Sequence, residues 1–544
     1  MKYAKSLWLA LFGLALWVAP VSAATREYTL TVAKEPVNIT GKAVEKITVN
    51  GGIPAPILRF KEGDEAVIHV KNTLKEDTSI HWHGLLLPGF MDGVPGTNGF
   101  NGIPAGETFT YRFPLRQTGT YWYHAHSGGQ EQDGLYGSII VDPKGADPIK
   151  SDRDYIVLLS DFTMEHSDQI MANLKKSSEY YANKQRTVGD FFRDVKAEGF
   201  SKAWANARNW GQMRMAQTDL ADVTGYTFLV NGKTPDQNWT GVFKPGEKVR
   251  LRFINASAMS FFDVRIPGLK MNVVQSDGQN VEPVAVDEFR FAPAETYDVV
   301  VTPTEDKAYT IAAEPIDRNG FALATLAPRE GIKGDVPAQR ERALLTMADM
   351  GMDHDMGDMV MTPKDMISGW AKAGTPPGDK MLDYADLRYA GIQKDTREPS
   401  RNIDVRLGGN MERYIWTLNG KKFSDADPIR LKFGERVRMT FTNETMMAHP
   451  MHLHGMFVQL ENGQPMEKLP NKHTVIVPPG KSYSVLITAD EAGEWAFHCH
   501  LLYHMMSGMM NKVVVAKLDA ADVPTPEESA PIKPQTGGMH HGNH

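Results

Sequence analysis

Three short stretches of the chain alternate between apolar and polar residues in the same local context. They cover residues 66–70, 249–253 and 437–441, and β-branched and aromatic residues are frequent in them. Alternation with a period of two is typical of a β-strand with one buried face. Each stretch lies between a glycine and an asparagine nine residues later, and these asparagines are Asn72, Asn255 and Asn443. The repeat predicts an all-β fold of three homologous Greek-key β-sandwich domains.

The repeat also predicts the domain organisation. We expect the three domains at residues 24–147, 148–329 and 401–519. Residues 161–215 are rich in Lys, Ala, Glu and aromatic residues, which favours a helical insertion of unknown role in the second domain. Residues 330–400 interrupt the repeat, and we expect them to form a methionine-rich linker. We also expect residues 520–544, which contain methionine and histidine, to form a flexible tail.

The first 23 residues have the layout of a secretory signal. Lys2 and Lys5 precede an apolar stretch over residues 7–18, and small residues lie before Ala24. An arginine pair is lacking, so we expect a signal of the general secretory type and metal loading after export. No later segment approaches the roughly 20 apolar residues of a transmembrane helix. We therefore expect an exported, soluble protein, and a monomer.

The composition narrows the chemistry. The formal net charge of −7 gives no reason to expect a nucleic-acid partner. The 544 residues include 28 methionines, 17 histidines and a single cysteine, Cys499. One thiol forms no internal disulfide, and an unprotected thiol outside the cytoplasm is open to oxidation. Metal ligation would explain why this one is retained.

Four His-x-His pairs occupy equivalent places in two of the three repeats. In the first and third repeats, one pair begins nine residues after the repeat asparagine and another follows a later glycine. The pairs are His81 and His83, His124 and His126, His452 and His454, and His498 and His500. The second repeat has Val264 and Ile266 at the first location and residues near Ala312 and Glu314 at the second. We therefore expect the second domain to act as a spacer without metal ligands.

The pairs predict a metal cluster. On a strand, alternate residues point to the same side, roughly 6.6–6.8 Å apart, so each pair presents two imidazoles together. A single pair is usually an ordinary strand feature, but four at equivalent positions favour ligands. Eight imidazoles exceed what one or two zinc ions need, and they suit three copper ions with open positions for dioxygen. His69, His166 and His473 have no such partners, and we expect them to be ordinary core or surface histidines.

Cys499 lies between the two histidines of the last pair. A thiolate, imidazoles and a weak thioether are the ligands of an electron-transfer copper, and Cys499, His504 and Met509 supply three of the four. Because the Cys499 side chain faces away from those of His498 and His500, one strand would join this copper to the cluster.

The histidine motifs resemble the four copper signatures of multicopper oxidases in order and spacing. They read HWHG at 81–84, WYHAH at 122–126, HPMHLHG at 449–455 and HCHLLYH at 498–504, followed by Met509. The segments QRTVGDFF at 185–192 and TDLADVTGY at 218–226 look like the bacterial periplasmic copper-resistance branch of that family. The resemblance covers nearly the whole mature chain, and it implies cupredoxin-like domains and a periplasmic location.

The resemblance also implies a set of ligands for four copper ions. Type 1 copper would bind His449, Cys499, His504 and the axial Met509, and type 2 copper would bind His81 and His452. The two type 3 ions would bind His83, His124 and His500, and His126, His454 and His498. Four electrons, taken one at a time from the substrate, would then pass through Cys499 to the cluster and reduce dioxygen to two waters. Asp92 matches the acidic proton donor of the family, whereas Met505 stands where some relatives have glutamate.

The linker suggests a substrate. It carries a cluster of thioethers and one imidazole, interleaved with aspartates, at Met347, Met350, Met352, His354, Met356, Met359, Met361 and Met366. Soft sulfur holds copper(I), and nearby acids attract the cation. We favour this over an amphipathic helix packed on the third domain, because Gly351 and Gly357 interrupt the helical pattern.

The leading hypothesis is a periplasmic oxidase of copper(I) that serves copper tolerance, uses dioxygen and has periplasmic copper-binding proteins as candidate partners. A laccase-like oxidase of phenols or aromatic amines is the first alternative. A copper-sequestering protein without catalysis is the second.

Overall fold

The computed structural model describes residues 24–182, 187–212, 220–341 and 375–517. Within these ranges the strands form six sheets, two in each of three consecutive domains. The predicted signal (1–23), the methionine cluster at 347–366 and the tail at 520–544 lie outside the described residues. In the described part of the chain, no helix combines the length and the apolar character needed to cross a membrane.

The first domain contains eight strands in two four-stranded sheets, ordered β2-β1-β4-β6 and β3-β8-β7-β5. Both sheets contribute to one apolar core that includes Val32, Ile68 and Ile139. The strands are β1 (Thr25–Val37), β2 (Val44–Val49), β3 (Ala55–Lys61), β4 (Glu65–Asn72), β5 (His81–His83), β6 (Thr108–Pro114), β7 (Gly119–His124) and β8 (Tyr136–Asp142).

The second domain has sheets ordered β10-β9-β12-β17-β14-β15 and β11-β19-β18-β13-β16. Its strands are β9 (Arg153–Phe162), β10 (Thr227–Val230), β11 (Trp239–Val242), β12 (Val249–Asn255), β13 (Phe262–Arg265), β14 (Met271–Ser276), β15 (Gln279–Val286), β16 (Glu288–Phe291), β17 (Thr296–Val301), β18 (Tyr309–Pro315) and β19 (Ala322–Ala327). Between β9 and β10 lie three helices, α1 (Ser167–Lys176), α2 (Val188–Glu198) and α3 (Phe200–Gln212). This is the helical insertion that the composition of the segment predicts.

The third domain has sheets ordered β21-β20-β23-β28-β25-β26 and β22-β30-β29-β24-β27. Its strands are β20 (Asn402–Asn410), β21 (Ile415–Leu418), β22 (Ile429–Lys432), β23 (Arg436–Asn443), β24 (His449–Leu453), β25 (Val458–Leu460), β26 (Asn471–Lys472), β27 (Thr474–Val477), β28 (Ser482–Thr488), β29 (Gly493–Cys499) and β30 (Met510–Ala516). One further helix, α4 (Leu502–Met506), separates β29 from β30. The cores of the second and third domains form one continuous apolar cluster.

The asparagine of each repeat closes the same turn. Asn72, Asn255 and Asn443 end the alternating strands β4, β12 and β23, which each pair in parallel with the first strand of their domain. Each side-chain amide donates to two backbone carbonyls, and its oxygen accepts the N–H two residues later. Such a local side-chain bond replaces ladder bonds where the strand ends. The predicted all-β fold of three related sandwich domains is confirmed.

Candidate metal centre

Two antiparallel strand pairs carry the four His-x-His motifs. In the first domain, β5 pairs with β7, and His81 lies opposite His124. In the third domain, β24 pairs with β29, and His452 lies opposite His498. Because the side-chain period of a strand is two, His81 and His83 lie on one face of β5. In the other three motifs the first histidine lies on the strand and the second follows just beyond its end, at His126, His454 and His500.

The two histidine faces meet at the interface of the first and third domains. The His81 and His454 rings stack with centroids 3.9 Å apart, and those of His83 and His452 are 3.8 Å apart. His126 also reaches the third domain, since its Nε2 lies 3.5 Å from Nε2 of His498. The cluster is therefore built jointly by domains that are far apart in the sequence.

The histidines fall into compact trios. In each, one ligand nitrogen of every member lies within 4.8 Å of the others. The trios are His83, His124 and His500; His126, His454 and His498; and His81, His452 and His454. The first two trios have the membership that the family resemblance implies for the type 3 pair. In the third, the two histidines expected at type 2 copper share the space with His454.

The donor atoms fit metal ions. Nε2 of His81, His124, His452 and His500 is buried and has no hydrogen-bond partner among the described residues. The other ring nitrogen is occupied in His81, where it lies 2.8 Å from the Asp92 carbonyl, and in His452, where it lies 2.7 Å from the His473 carbonyl. Buried polar atoms without partners are costly, and a fixed outer nitrogen with a free inner one is the arrangement of a metal-bound imidazole.

Burial also keeps the cluster imidazoles neutral. Desolvation, followed by neighbouring histidines, lowers the pKa of His83, His124, His452, His454 and His500 well below the usual value. Burial lowers the pKa of His498 to about 4. The neutral imidazole is the form that binds a metal ion.

A second site lies on the other side of β29. The Cys499 Sγ atom lies 3.5 Å from His449 Nδ1 and 3.8 Å from His504 Nδ1. Met509 is fully buried, and its carbonyl accepts the Cys499 N–H at 3.1 Å. Burial raises the pKa of the Cys499 thiol. Because a thiolate in this position needs a compensating cation, the set of two imidazoles, one sulfur and a nearby thioether fits copper.

Asp92 joins the two histidine faces. Its carboxylate is buried, and Oδ2 accepts a hydrogen bond from His454 Nδ1 at 2.8 Å. Oδ1 lies 3.3 Å from His81 Nδ1. The predicted proton donor therefore contacts one histidine from each domain. Met505, at the position where some relatives have glutamate, is half-buried on α4.

Two carboxylates beside the candidate metal ligands are not predicted from the sequence. Asp222 Oδ2 lies 2.7 Å from His504 Nε2 and accepts the Tyr414 hydroxyl at 2.8 Å. Glu131 Oε2 lies 2.6 Å from His124 Nδ1, and burial raises the pKa of Glu131 well above the usual value. Glu131 follows the His124 pair closely in the sequence, which is a weak signal, whereas no spacing rule connects Asp222 with His504.

His473 also belongs to the cluster. The sequence predicts an ordinary histidine, but the structure places a ring nitrogen of His473 within 4.8 Å of ligand nitrogens of His83 and His452. Burial lowers the pKa of His473 to about 4, so the ring is neutral at pH 7. In contrast, His69 and His166 retain substantial side-chain exposure away from the cluster.

The second domain keeps apolar residues where its neighbours have histidines. Val264 and Ile266 are buried in its core. It nevertheless contributes Asp222 to the cysteine site, and Asp277 accepts the backbone N–H of His473 at 3.1 Å. The domain therefore supplies polar contacts to both sites in addition to spacing its neighbours.

Three protein-family models described as multicopper oxidase match this chain, at residues 31–146, 153–330 and 396–519. The chain belongs to the multicopper oxidase family. This multicopper oxidase is therefore a copper-dependent oxidoreductase.

Individual relatives agree with the family match. The multicopper oxidase is 47% identical to copper resistance protein A from Escherichia coli over 91% of this chain and 94% of the relative. It is also 47% identical to a copper resistance protein A homolog from Pseudomonas syringae pv. tomato, over 93% and 96% of the two chains. Among solved structures, Fet3p, a multicopper oxidase that functions in iron import, superposes with a TM-score of 0.68 at 20% identity, over 93% and 94% of the chains. The last similarity concerns the fold alone.

Proposed function

We propose that this multicopper oxidase oxidises copper(I) to copper(II) in the periplasm and couples this reaction to the reduction of dioxygen, as part of copper tolerance. The balanced reaction uses four copper(I) ions, one dioxygen and four protons, and it yields four copper(II) ions and two waters. The observation that carries the proposal is the position of Cys499 between His498 and His500. Its sulfur belongs to one group of residues that could hold a metal ion, and the two flanking imidazoles belong to two other such groups.

The proposed cofactor is four copper ions, one of type 1, one of type 2 and two of type 3. His449, Cys499, His504 and Met509 would hold type 1, and His81 and His452 would hold type 2. The type 3 pair would be held by His83, His124 and His500, and by His126, His454 and His498. When bound, these ions would accept single electrons from the substrate and deliver four to dioxygen.

The protein provides the electron path between the two sites. Cys499 ends β29, and the peptide units on either side of it lead directly to His498 and His500. A covalent path of a few bonds keeps the two sites coupled without a mobile carrier. Met451 lies opposite Cys499 in the sheet and is also buried, so solvent is excluded from this connection.

Asp222 supports a cationic substrate. Its carboxylate is only 5% exposed and bonds to the outer nitrogen of His504, a proposed ligand of type 1 copper. A carboxylate here stabilises a nearby cation, and Asp222 is in direct contact with His504 at 2.7 Å. The 47% identity to copper resistance protein A of Escherichia coli and to a homolog of it in Pseudomonas syringae pv. tomato adds to this argument.

Asp92 is the proposed proton donor. It contacts His454 and His81 at the boundary between the domains and is positioned to deliver protons where dioxygen would be reduced. A positioned acid typically accelerates such a step by about 10²–10⁴-fold.

Oxygen uptake by the copper-loaded protein tests the proposal. We expect faster uptake with copper(I) than with a phenol, and deletion of residues 347–366 should slow the copper(I) reaction selectively. High phenol turnover with copper(I) oxidation unaffected by the deletion would favour the laccase-like alternative. Absence of uptake with either reductant would favour copper sequestration without catalysis.

A further inference from the structure

His473 is buried beside two of the proposed copper ligands. Its ring centroid lies 4.7 Å from that of His83 and 5.6 Å from that of His452. The planes are nearly perpendicular in both pairs, at 80° and 88°. Its Nε2 has no hydrogen-bond partner among the described residues. A polar atom in this position needs a partner, because its burial is otherwise unfavourable.

His83, in turn, lacks a hydrogen-bond partner for its side chain among the residues that the structure describes. Several cluster histidines direct Nδ1 to a fixed acceptor, as His81 and His454 do to Asp92, and His498 does to the Cys499 carbonyl. In contrast, both ring nitrogens of His83 lack a partner in the described part of the chain. A metal ion would occupy one of them. The other would carry a proton, and a ligand histidine normally donates that proton to a neighbouring group.

The backbone holds the His473 ring in place. Its N–H donates to Asp277 Oδ2 at 3.1 Å, and the next N–H, that of Thr474, donates to the same oxygen at 3.2 Å. Nδ1 of His473 lies 3.1 Å from the Thr474 hydroxyl, which leaves Nε2 as the free nitrogen. Asp277 is itself fixed by the buried ammonium of Lys472 at 3.1 Å.

Gly84 permits the close approach of this ring to the residue after His83. A Cβ atom at position 84 would lie 2.6 Å from Cδ2 and 2.8 Å from Nε2 of His473. The φ angle of Gly84 is +81°, which also favours glycine. The edge of the imidazole that carries Nε2 therefore packs directly against the backbone beside His83.

We propose that His473 is a positioning residue for the copper cluster, with Nε2 as the acceptor for the outer N–H of His83. Ligand nitrogens of His83, His452 and His473 lie within 4.8 Å of one another, which a side-chain rotation or one bridging water can span. The His473 carbonyl already accepts from His452 Nδ1. One segment anchored on Asp277 would thus orient a type 3 ligand and a type 2 ligand. This inference rests on the copper assignments proposed above.

Two substitutions of His473 distinguish the roles of its two ring nitrogens. The amide of glutamine reaches the place of Nε2, whereas the amide of asparagine reaches only the place of Nδ1. We expect His473→Asn to lose type 2 and type 3 copper to a chelator about 10–100-fold faster than wild type, the usual effect of losing an outer partner of a metal ligand. His473→Gln should retain copper nearly as well as wild type. The blue absorption of type 1 copper should be unchanged in both.

The measurement is copper per chain against time in chelator, combined with electron paramagnetic resonance of the type 2 ion. Phe457→Leu is the packing control, because the centroid of the Phe457 ring lies 6.1 Å from that of the His473 ring and the contact is apolar. Equal copper retention in His473→Asn and wild type would overturn the proposal. Copper retention by His473→Asn but not by His473→Gln would also overturn it. The same would follow if Phe457→Leu lost copper as fast as His473→Asn. Since the measurement needs no substrate, it is independent of whether copper(I) or a phenol is oxidised.

Discussion

Asp222 Oδ2 lies 2.7 Å from Nε2 of His504, although the two residues are 282 positions apart in the chain. The carboxylate comes from the second domain, and the imidazole follows Cys499 in the third. His504 directs its other nitrogen, Nδ1, towards the Cys499 sulfur at 3.8 Å. The second domain thereby reaches the site at which we propose that electrons enter.

Asp222→Asn should slow copper(I) oxidation about tenfold, the lower end of the effect usual for outer partners of metal ligands. The amide keeps the size and an acceptor oxygen but removes the negative charge that stabilises a cation. Initial rates of oxygen uptake with copper(I) would measure the effect, and copper per chain should remain unchanged. Asp404→Asn is the control, since it removes an exposed carboxylate from the third domain, which also contains His504. Equal rates for Asp222→Asn and wild type would show that Asp222 has no role in electron entry.

Cys499→Ser should abolish both the blue absorption and the oxidation of any substrate. A hydroxyl of similar size replaces the thiolate, so the soft ligand and the covalent path are lost while the eight cluster histidines stay in place. Copper analysis should show about three ions per chain, and absorption spectroscopy should show no thiolate-to-copper band. A blue protein with serine at this position would exclude Cys499 as a ligand.

Asp92→Asn should lower oxygen uptake about 100-fold, at the lower end of the contribution of a positioned acid. The amide can still accept from His454, but it has no carboxyl proton to transfer. In rapid mixing, reduction of type 1 copper should proceed at the wild-type rate, and reoxidation by dioxygen should be slow. Glu107→Gln, which alters an exposed acid of the same domain, should have neither effect. Slow reduction together with normal reoxidation would contradict a proton-delivery role.

Asp161 should make folding depend on pH. Burial raises the pKa of its carboxyl from 3.8 to about 6, although two backbone N–H groups and the Ser260 hydroxyl donate to it. The native state therefore holds this proton more tightly than the unfolded chain. Its contribution to stability is full below about pH 4 and is lost as the pH rises to about 6, by about 3 kcal/mol.

Asp161→Asn removes this titration. Relative to wild type, the variant should gain about 3 kcal/mol in the free energy of unfolding when the pH is raised from 4 to 7. Urea titrations of both proteins at the two pH values give this difference. A constant difference between the two proteins at both pH values would mean that Asp161 does not titrate in this range.

The sandwich fold could be predicted because its signals are local. Alternation in residues 66–70 and its two counterparts marks the same strand in each domain, and the asparagine at the end of that strand marks the same turn. The spacing of two residues within each His-x-His pair also predicts that its histidines share a face, because side chains two positions apart on a strand point to the same side.

Grouping of the histidines around individual ions needed the resemblance to a family, because spacing along a strand does not say which pair faces which. His81 stacks on His454, and His83 on His452, only because the first and third domains meet at their histidine faces. That contact depends on the packing of whole sheets. Local alternation carries no information about it.

Local patterns in the sequence are enough to predict the three related domains, the strands that carry histidines and the position of the one cysteine between two histidines. Only the folded chain shows that Asp222 lies against His504 and His473 against His83. The physical reason is that backbone geometry sets which side of a strand a residue occupies within a few positions. Contacts between domains are set by how their surfaces pack, and there residues hundreds of positions apart become neighbours.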